Sequence, residues 1–385
     1  MGGDLLDQSG QGTYAQSVTA HLAHTPAAGS QPTLAAGRRV GGLDVARGIA
    51  VLGMFAAHLG DTGELGWSPA TWTALVDGRP SILFATLAGV SLALLSGGRT
   101  PATGRELARA RTRILVRAAW VFAVGGVLEL LDTDVAVILG VYAALFVLAL
   151  PFLTWPPARL LLVAGVVALA GPPLVVATAQ VITRHGDEGV ALASLLVTGN
   201  YPAGVWLAFV LIGLAVGRLD LRTARVRAAL TVSGAAAAVV GYGGGWLSAR
   251  LLAPGQQLEG IETGFDLSGT WDAAWFAGAE PHSGTTFEVV GSTGVALVVI
   301  GTCLVVADRL PRLTYPLASV GALALTVYSA QIVAIRVLAA GGEDWGTWAA
   351  FTLTALVLAT VWRLQLGRGP LERLLTWSSR RAAGP

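Results

Sequence analysis

Ten apolar stretches, separated by short polar connections, constrain this 385-residue chain more than any other feature. They cover residues 41–60, 81–97, 114–131, 134–153, 158–182, 201–217, 228–249, 289–307, 315–339 and 347–364. Each is close to the length of about 17 to 25 residues that an α-helix needs to cross a bilayer. Only 12% of the residues are charged, so lipid is the expected solvent for most of the chain. The sequence therefore predicts an all-α, polytopic membrane helix bundle of about ten transmembrane helices.

The polar connections alternate in charge, and this alternation predicts the orientation of the chain. Basic residues collect on the cytoplasmic side of membrane proteins. Here they are Arg99, Arg105, Arg109, Arg111 and Arg113, then Arg218, Arg222, Arg225 and Arg227, then Arg309 and Arg312, and finally Arg368, Arg373, Arg380 and Arg381. Acidic residues fill the intervening connections, from Asp61 and Asp77 to Glu343 and Asp344. We therefore expect a multi-pass protein of the plasma membrane with both termini in the cytoplasm.

The composition divides the chain into three parts. Residues 1–37 are rich in small and polar residues and lack the pattern of a signal peptide, so we expect a disordered cytoplasmic tail. Residues 38–376 form the expected membrane domain, and residues 377–385 form a second cytoplasmic tail. One extracytoplasmic loop, at about 250–287, is much longer than the others. Its aromatic residues favour either an ordered loop that caps a cavity or anchoring at the membrane surface.

Several kinds of site are excluded by the residue types present. The net charge is +2 and the basic residues lie between apolar runs, which argues against a nucleic-acid partner. The single cysteine, Cys303, lies inside an apolar run and offers no disulfide. The five histidines have no zinc-ligand spacing. We therefore expect no metal ion.

The first apolar stretch, GLDVARGIAVLGMFAAHLG, contains the polar residues Asp44, Arg47 and His58. Arg47 and His58 are eleven residues apart, which returns to within about 20° of the same helix face, about 16 Å along the axis. Asp44 can pair with Arg47 as an i,i+3 ion pair. A charge near the centre of a span costs at least about 2.5 kcal/mol, so this stripe predicts an internal site. The alternative is that the pair sits at the inner interface and that His58 caps the helix.

These residues resemble motifs of known membrane enzymes. The opening LDxxRGIA, with His58 eleven positions after Arg47, resembles the first helix of the family 3 membrane acyltransferases. The stretch GLDVARGIAVLGMF also resembles the opening of the heparan-α-glucosaminide N-acetyltransferase family. The blocks DGRPSILFATLAGVSLAL, ALTVYSAQIVAI and RGPLERLL resemble the YeiB-type bacterial membrane proteins of the same transmembrane acyltransferase superfamily. Together these blocks span residues 40–376.

The resemblance implies transfer of an acyl group, with acetyl expected, from cytoplasmic acetyl-CoA to a hydroxyl or amine of an extracytoplasmic glycan or lipid-linked acceptor. It implies His58 as the general base, in a catalytic stripe with Arg47 and Asp44. Imidazole suits proton transfer near neutral pH. The lysosomal and YeiB-type relatives usually have Asn at this position, and the lysosomal enzymes place their catalytic His in the following loop. That loop here, DTGELGWSPATWTALVDGR, contains no His, so either His58 has the role or the first-helix chemistry is absent.

Further polar residues are candidates for binding. The candidates for the acceptor are Arg79, His282, Asp61, Tyr328 and Gln331. Helix–helix hydrogen bonds would explain Tyr328 and Gln331 equally well. The candidates for the CoA phosphates are Arg47 together with Arg105, Arg109 and Arg113 of the second connection, because guanidinium groups match phosphate geometry. Positive-inside topology explains the three charges of the connection equally well.

The expected partners are the lipid bilayer, acyl-CoA and the acceptor, with a homodimer left open as the oligomeric state. The main alternative function is a small-metabolite transporter that uses the stripe of Asp44, Arg47 and His58 as its pathway. Transporters often contain broken helices at matching positions of two halves. Pro172 and Pro173 interrupt the fifth apolar stretch, but no matching pair is evident. A non-catalytic scaffold for envelope assembly is the third hypothesis.

Overall fold

The computed structural model describes residues 40–60, 76–185, 201–254, 272–340 and 344–384, with the backbone alone at 182–185. These residues form twelve α-helices and no strand. The helices are α1 Gly41–Leu59, α2 Arg79–Leu95, α3 Gly104–Glu129, α4 Leu139–Leu148, α5 Pro157–His185, α6 Ala203–Gly217, α7 Ala224–Leu252, α8 Thr286–Arg309, α9 Tyr315–Ala322, α10 Ala324–Leu338, α11 Trp345–Gln365 and α12 Pro370–Ala383. Short 3-10 turns lie at Leu150–Phe152 and Ala273–Phe276. The predicted all-α membrane fold is confirmed. The expected tail at 1–37 and Asp61 lie outside the described residues.

Each predicted apolar stretch falls on one helix, except that 315–339 falls on the pair α9 and α10. Five helices in the described ranges, α1, α5, α7, α8 and α11, are long and apolar enough to cross a membrane. The pair α9 and α10 makes a sixth crossing if it counts as one span. Helices α2, α4 and α6 are apolar but only 10–17 residues long. The protein is therefore multi-pass, while the number of ten crossings and the orientation of the termini stay predictions.

Helix α5 runs through Pro172 and Pro173, where the sequence predicts an interruption. Proline has no N–H, so Pro172 leaves the carbonyl of Ala168, four residues earlier, without its helical donor. The hydroxyl of Thr286, at the start of α8, donates a hydrogen bond of 2.8 Å to that carbonyl. The expected interruption is wrong, because a side chain from another helix supplies the missing donor.

Helix α1 is packed against its neighbours through glycines. Of its span 72% is buried, the largest share among the candidate spans. Gly42 meets the backbone of α8, Gly48 meets the backbone of α9, and Gly53 meets the first proline ring of α2. Gly60, just past the end of α1, lies against the first tryptophan of α11. A Cβ atom at any of these positions would overlap its neighbour, so small residues bring α1 close to four other helices.

The chain bends by 82° between α9 and α10. Leu323 forms the break, with φ −112° and ψ 27°. Before the break, Gly321 lies so close to the carbonyl of Asp44 that no Cβ atom fits between them. After the break, Tyr328 and Gln331 of α10 lie beside His58. The single predicted segment is therefore two helices that contact opposite ends of the polar stripe of α1.

Candidate functional site

A cavity of about 470 Å³ lies at the C-terminal end of α1. It is formed by the ends of α1 and α10, the start of α2, the connection 132–138, and single residues that precede α6 and α8. Its polar lining is His58, Asp77, Ser81, Asp132, Thr133, Asp134, Tyr201, His282, Tyr328 and Arg336. Within the described ranges no group of three or more His, Cys, Asp or Glu residues is arranged to hold a metal ion. The lining belongs to the end of the bundle that the charge pattern predicts to lie outside.

The imidazole of His58 contacts a buried amide at one wall of this cavity. Its Nδ1 lies 3.3 Å from Oε1 of Gln331. With that oxygen as the acceptor, Nδ1 donates the hydrogen bond, which leaves Nε2 of the neutral ring able to accept a proton. The ring of Tyr328 stands edge-on to the imidazole, with 6.3 Å between the centroids. The contact therefore fixes the tautomer that a general base needs.

A second histidine reaches the same cavity from a distant part of the sequence. Nε2 of His282 lies 3.7 Å from Oδ1 of Asp77, so the two form an ion pair when the imidazole is protonated. The His282 ring packs edge-on against Tyr201, with the centroids 5.4 Å apart. The backbone of His282 has φ 63°, a left-handed conformation that few residues other than glycine adopt. The cavity thus contains two imidazoles and a carboxylate next to one of them.

Glu288 of α8 holds the segment that carries His282. Its carboxylate accepts hydrogen bonds from the backbone N–H of His282 at 2.7 Å and of Gly284 at 2.6 Å. Its own N–H donates to the hydroxyl of Thr285, the N-cap of α8, at 3.1 Å. This is a variant of the capping box, in which Thr and Glu three residues apart satisfy the free N–H groups of a helix start. The described part of the predicted 250–287 loop thus brings His282 to the cavity, while residues 255–271 lie outside the described residues and the role of the loop stays a prediction.

Asp44 and Arg47 form the predicted i,i+3 ion pair, with 2.8 Å between Oδ1 and Nη1, but they do not line the cavity. The guanidinium also donates to the hydroxyl of Ser91 in α2 at 3.2 Å and to the carbonyl of Gly321 in α9 at 3.3 Å. The carboxylate of Asp44 is buried. The pair therefore joins three helices. The three residues predicted as catalytic lie in two places, with His58 in the cavity and the pair at a helix crossing.

Arg79 is not among the residues that line the cavity. Its Nε donates to the hydroxyl of Tyr242 in α7 at 2.9 Å, and its guanidinium lies 5.0 Å from the centre of that ring. The same hydroxyl is 2.9 Å from that of Ser292 in α8. Arg79 therefore connects α2 to two other helices. Of the predicted acceptor residues, His282 and Tyr328 line the cavity. Gln331 does not line it but forms a hydrogen bond with His58, which does.

The arginines predicted to hold CoA lie in the first half of α3. Arg105 is exposed, while Arg109 and Arg113 are partly buried. The Nε atom of Arg113 is buried without an acceptor among the described residues, and so is that of Arg117, one turn further on. Because phosphate oxygens accept strong hydrogen bonds from guanidinium groups, these side chains stay the candidates for holding a phosphate. Sequence reasoning missed Arg117, although its i,i+4 spacing from Arg113 was the available signal.

Comparison with known protein families finds a match. Residues 39–246 match the family described as heparan-alpha-glucosaminide N-acetyltransferase, catalytic. The matched region begins just before α1 and ends within α7, so it includes His58, Asp77 and the connection 132–138. His282 and helices α8 to α12 lie beyond it. No curated protein matches the chain.

Proposed function

The chain belongs to the heparan-alpha-glucosaminide N-acetyltransferase catalytic family, and from this membership we propose that it moves an acetyl group from cytoplasmic acetyl-CoA to an extracytoplasmic hydroxyl or amine. The observation that carries this proposal is the contact between His58 and Gln331, which leaves Nε2 of an imidazole available at a cavity wall. The proposal includes the plasma membrane as the location and the cytoplasm for both termini, on the charge alternation of the connections.

In the proposed reaction His58 acts as the general base. Its Nε2 takes the proton of the acceptor as the acceptor oxygen or nitrogen bonds to the acyl carbon. The carbon–sulfur bond breaks, and the thiolate of CoA leaves as the thiol with the proton that His58 took from the acceptor, which restores the neutral imidazole. Gln331 keeps the imidazole oriented while the ring gains charge. General-base catalysis of this kind contributes about 10²–10⁴-fold to the rate.

The polar lining of the cavity supports a sugar-like acceptor. The carboxylates of Asp77, Asp132 and Asp134 offer acceptors for the hydroxyl and amine groups of such a molecule. A cavity of about 470 Å³ lies within the range of about 300–1,000 Å³ typical of small-molecule sites. His282, next to Asp77, is positioned to contact the same acceptor. We therefore propose a glycan or lipid-linked sugar as the acceptor class.

The donor is proposed to bind through the basic first half of α3. Arg105, Arg109 and Arg113 would hold the phosphates of acetyl-CoA, which supplies the acyl group as a thioester. The C-terminal end of α3 leads into the cavity wall at 132–138, so these arginines lie toward the other end of the helix. Donor and acceptor would then approach from opposite sides.

The test uses the full chain in nanodiscs with labelled acetyl-CoA and glucosamine as a probe acceptor, comparing wild type, His58→Ala and His58→Gln. We expect both variants to lose at least about a hundredfold in CoA release and acetyl transfer while acetyl-CoA binding stays unchanged. Ile49→Val, on an exposed part of α1, is the matched control and should behave as wild type. Transfer at the wild-type rate by both His58 variants would remove the imidazole from the mechanism.

A transporter is the second candidate, favoured by the 82° break between α9 and α10. Broken helices line the substrate pathways of many transporters. The discriminating experiment follows labelled glucosamine across proteoliposomes without acetyl-CoA. Passage of unmodified glucosamine with no release of CoA in the parallel assay would replace the acyltransferase proposal. Recovery of acetylated glucosamine alone would support it.

A further inference from the structure

Two arginine-bearing helices pack against each other away from the cavity. Helix α12 contacts α3, and it also contacts the start of α10, whose far end lines the cavity. Glu372 of α12 makes the second contact: its carboxylate accepts hydrogen bonds from the N–H of Thr326 at 3.1 Å and from the hydroxyl of Thr326 at 2.6 Å. The surface between α3 and α12 therefore lies toward the end of the bundle opposite the cavity.

Arg117 of α3 is within electrostatic reach of three other arginines, and we name Arg113, Arg117, Arg368 and Arg380 the arginine cluster. Arg113 and Arg117 are one turn apart, so they share a face of α3. The positive charges of Arg113, Arg368 and Arg380 all act on Arg117. Nε of Arg113 and Nε of Arg117 are buried with no hydrogen-bond partner in the described ranges.

No acidic side chain of the described residues forms an ion pair with the cluster. Glu372, the acidic residue of α12, is engaged by Thr326. Two other acidic residues form ion pairs with arginines outside the cluster: Asp220 pairs with Arg99, and Asp308 pairs with Arg227. Four like charges held together without a counter-charge repel one another, and this repulsion is strong where water is partly excluded. An anion bound at the cluster would therefore relieve this repulsion.

The residues beside the cluster indicate which class of anion it would bind. Arg380 and Arg381 line a concavity of about 640 Å³ together with Thr376 and Trp377. The Trp377 side chain is 61% exposed on a helix whose other face packs on α3. An exposed Trp beside basic residues on an amphipathic helix is typical of the bilayer interface, where phosphate groups are abundant. Guanidinium forks bind phosphate oxygens in pairs.

We propose that Arg113, Arg117, Arg368 and Arg380 form a binding site for a phosphate-bearing ligand between α3 and α12. Two sources share this chemistry: the nucleotide part of CoA and the headgroup of an anionic phospholipid. The site extends the predicted donor residues by three arginines, two of which lie beyond the matched family region. It does not depend on the role of His58, because binding is measured without turnover.

The experiment uses the full chain in nanodiscs and compares Arg117→Gln and Arg380→Gln with Arg312→Gln. Arg312 is exposed in the connection between α8 and α9 and supplies a matched loss of charge away from the cluster. The first arm measures the affinity for CoA in phosphatidylcholine nanodiscs. The second arm measures, by native mass spectrometry, the phosphatidylglycerol retained after purification from mixed-lipid nanodiscs.

Each outcome supports or overturns the site. An affinity for CoA that falls about tenfold in both cluster variants, but not in Arg312→Gln, identifies the nucleotide as the source. Loss of retained phosphatidylglycerol with unchanged CoA affinity identifies the lipid. Wild-type behaviour of both variants in both arms overturns the proposal. Arg380 is exposed, so Arg380→Gln leaves folding intact even where Arg117→Gln does not.

A melting curve separates binding from a purely structural role. In phosphatidylcholine nanodiscs without nucleotide, Arg117→Gln should melt at a higher temperature than wild type, because it removes like-charge repulsion. Added CoA or phosphatidylglycerol should stabilise wild type more than the variant. A lower melting temperature with unchanged ligand stabilisation would make the cluster a structural element and overturn the proposal. These binding and melting measurements do not depend on turnover. They can therefore be interpreted even if the wild-type chain shows no acetyl transfer.

Discussion

Oε1 of Gln331 lies 3.3 Å from Nδ1 of His58 and joins α10 to the end of α1. The amide is 3% exposed, so water does not compete for this contact. Gln331 reaches the imidazole because the chain bends between α9 and α10. The bend therefore links the crossing of α1 and α9 at one end of the polar stripe to the candidate base at the other.

Gln331 is predicted to act as a positioning residue. Gln331→Leu removes the acceptor for Nδ1, so we expect kcat to fall about tenfold while the KM for acetyl-CoA stays near wild type. Gln331→Glu places a carboxylate beside the ring and stabilises its protonated form, so the acidic limb of the pH–rate profile should move to higher pH. Steady-state kinetics across pH tests both, with Ser329→Ala on the same helix as the control. Wild-type kinetics and pH profile in both variants would contradict the role.

The pair of Asp44 and Arg47 is predicted to stabilise the fold. Asp44→Asn leaves a partly buried guanidinium without its counter-charge and should cost about 2–3 kcal/mol. Asp44→Asn combined with Arg47→Gln should recover part of that loss, which a double-mutant cycle of unfolding free energies measures. The control is Asp308→Asn, which breaks a pair with a 63% exposed carboxylate and should cost about 0–1 kcal/mol. Equal losses in the two Asn variants would mean that burial does not matter here.

The approach of α9 to α1 is predicted to be intolerant of one added methyl group. Gly321→Ala places a Cβ atom against the carbonyl of Asp44, so the helices must separate and the melting temperature should fall. Gly126→Ala is the matched control, because nothing lies within 4 Å of its Cβ position in α3. There the change should be neutral or stabilise by up to about 1 kcal/mol. Thermal melts of the two variants in one detergent make the comparison, and equal melting temperatures would contradict it.

Asp344 is predicted to stabilise the start of α11 in a pH-dependent way. Its carboxylate accepts hydrogen bonds from the hydroxyl and N–H of Thr347 and from the N–H of Gly346, which lower its pKa below the ordinary value of 3.8. A lowered pKa contributes stability that is fully present above pH 3.8 and is lost as the pH falls through the folded-state value. Asp344→Ala should therefore melt below wild type at neutral pH. The difference should shrink in acid, and a constant difference across the pH range would exclude the linkage.

Sequence reasoning predicted the features that depend on local pattern. The apolar stretches predicted the helices, because burial in lipid acts on each segment separately. The spacing of Asp44 and Arg47 predicted their ion pair, because positions three apart share a helix face. The assignment of His58 to an internal site rested on the same periodicity, and the structure puts it at a cavity wall.

Features that depend on distant contacts were not predictable in the same way. Asp77 and His282 are far apart in the sequence, and only the packing of α2 against the α8 region brings them together. The continuity of α5 through Pro172 depends on the hydroxyl of Thr286, which no local rule supplies. The arginine cluster was not predicted as one site, because the charges of Arg113, Arg368 and Arg380 were explained by topology alone and Arg117 lies inside an apolar stretch.

The glycines of α1 restrict how this helix can move. Gly42, Gly48, Gly53 and Gly60 are in contact with four different helices. Helical spacing puts Gly42, Gly53 and Gly60 on one face of α1 and Gly48 on another, so α1 is held on two faces. Rotation of α1 about its axis would drive a side chain into a neighbouring helix, so the packing restricts this rotation. A catalytic group must be held within about 0.5 Å of its working position. The orientation of His58 about the helix axis is therefore set by glycines. Substitution of these glycines would shift the imidazole of His58 although none of them contacts it.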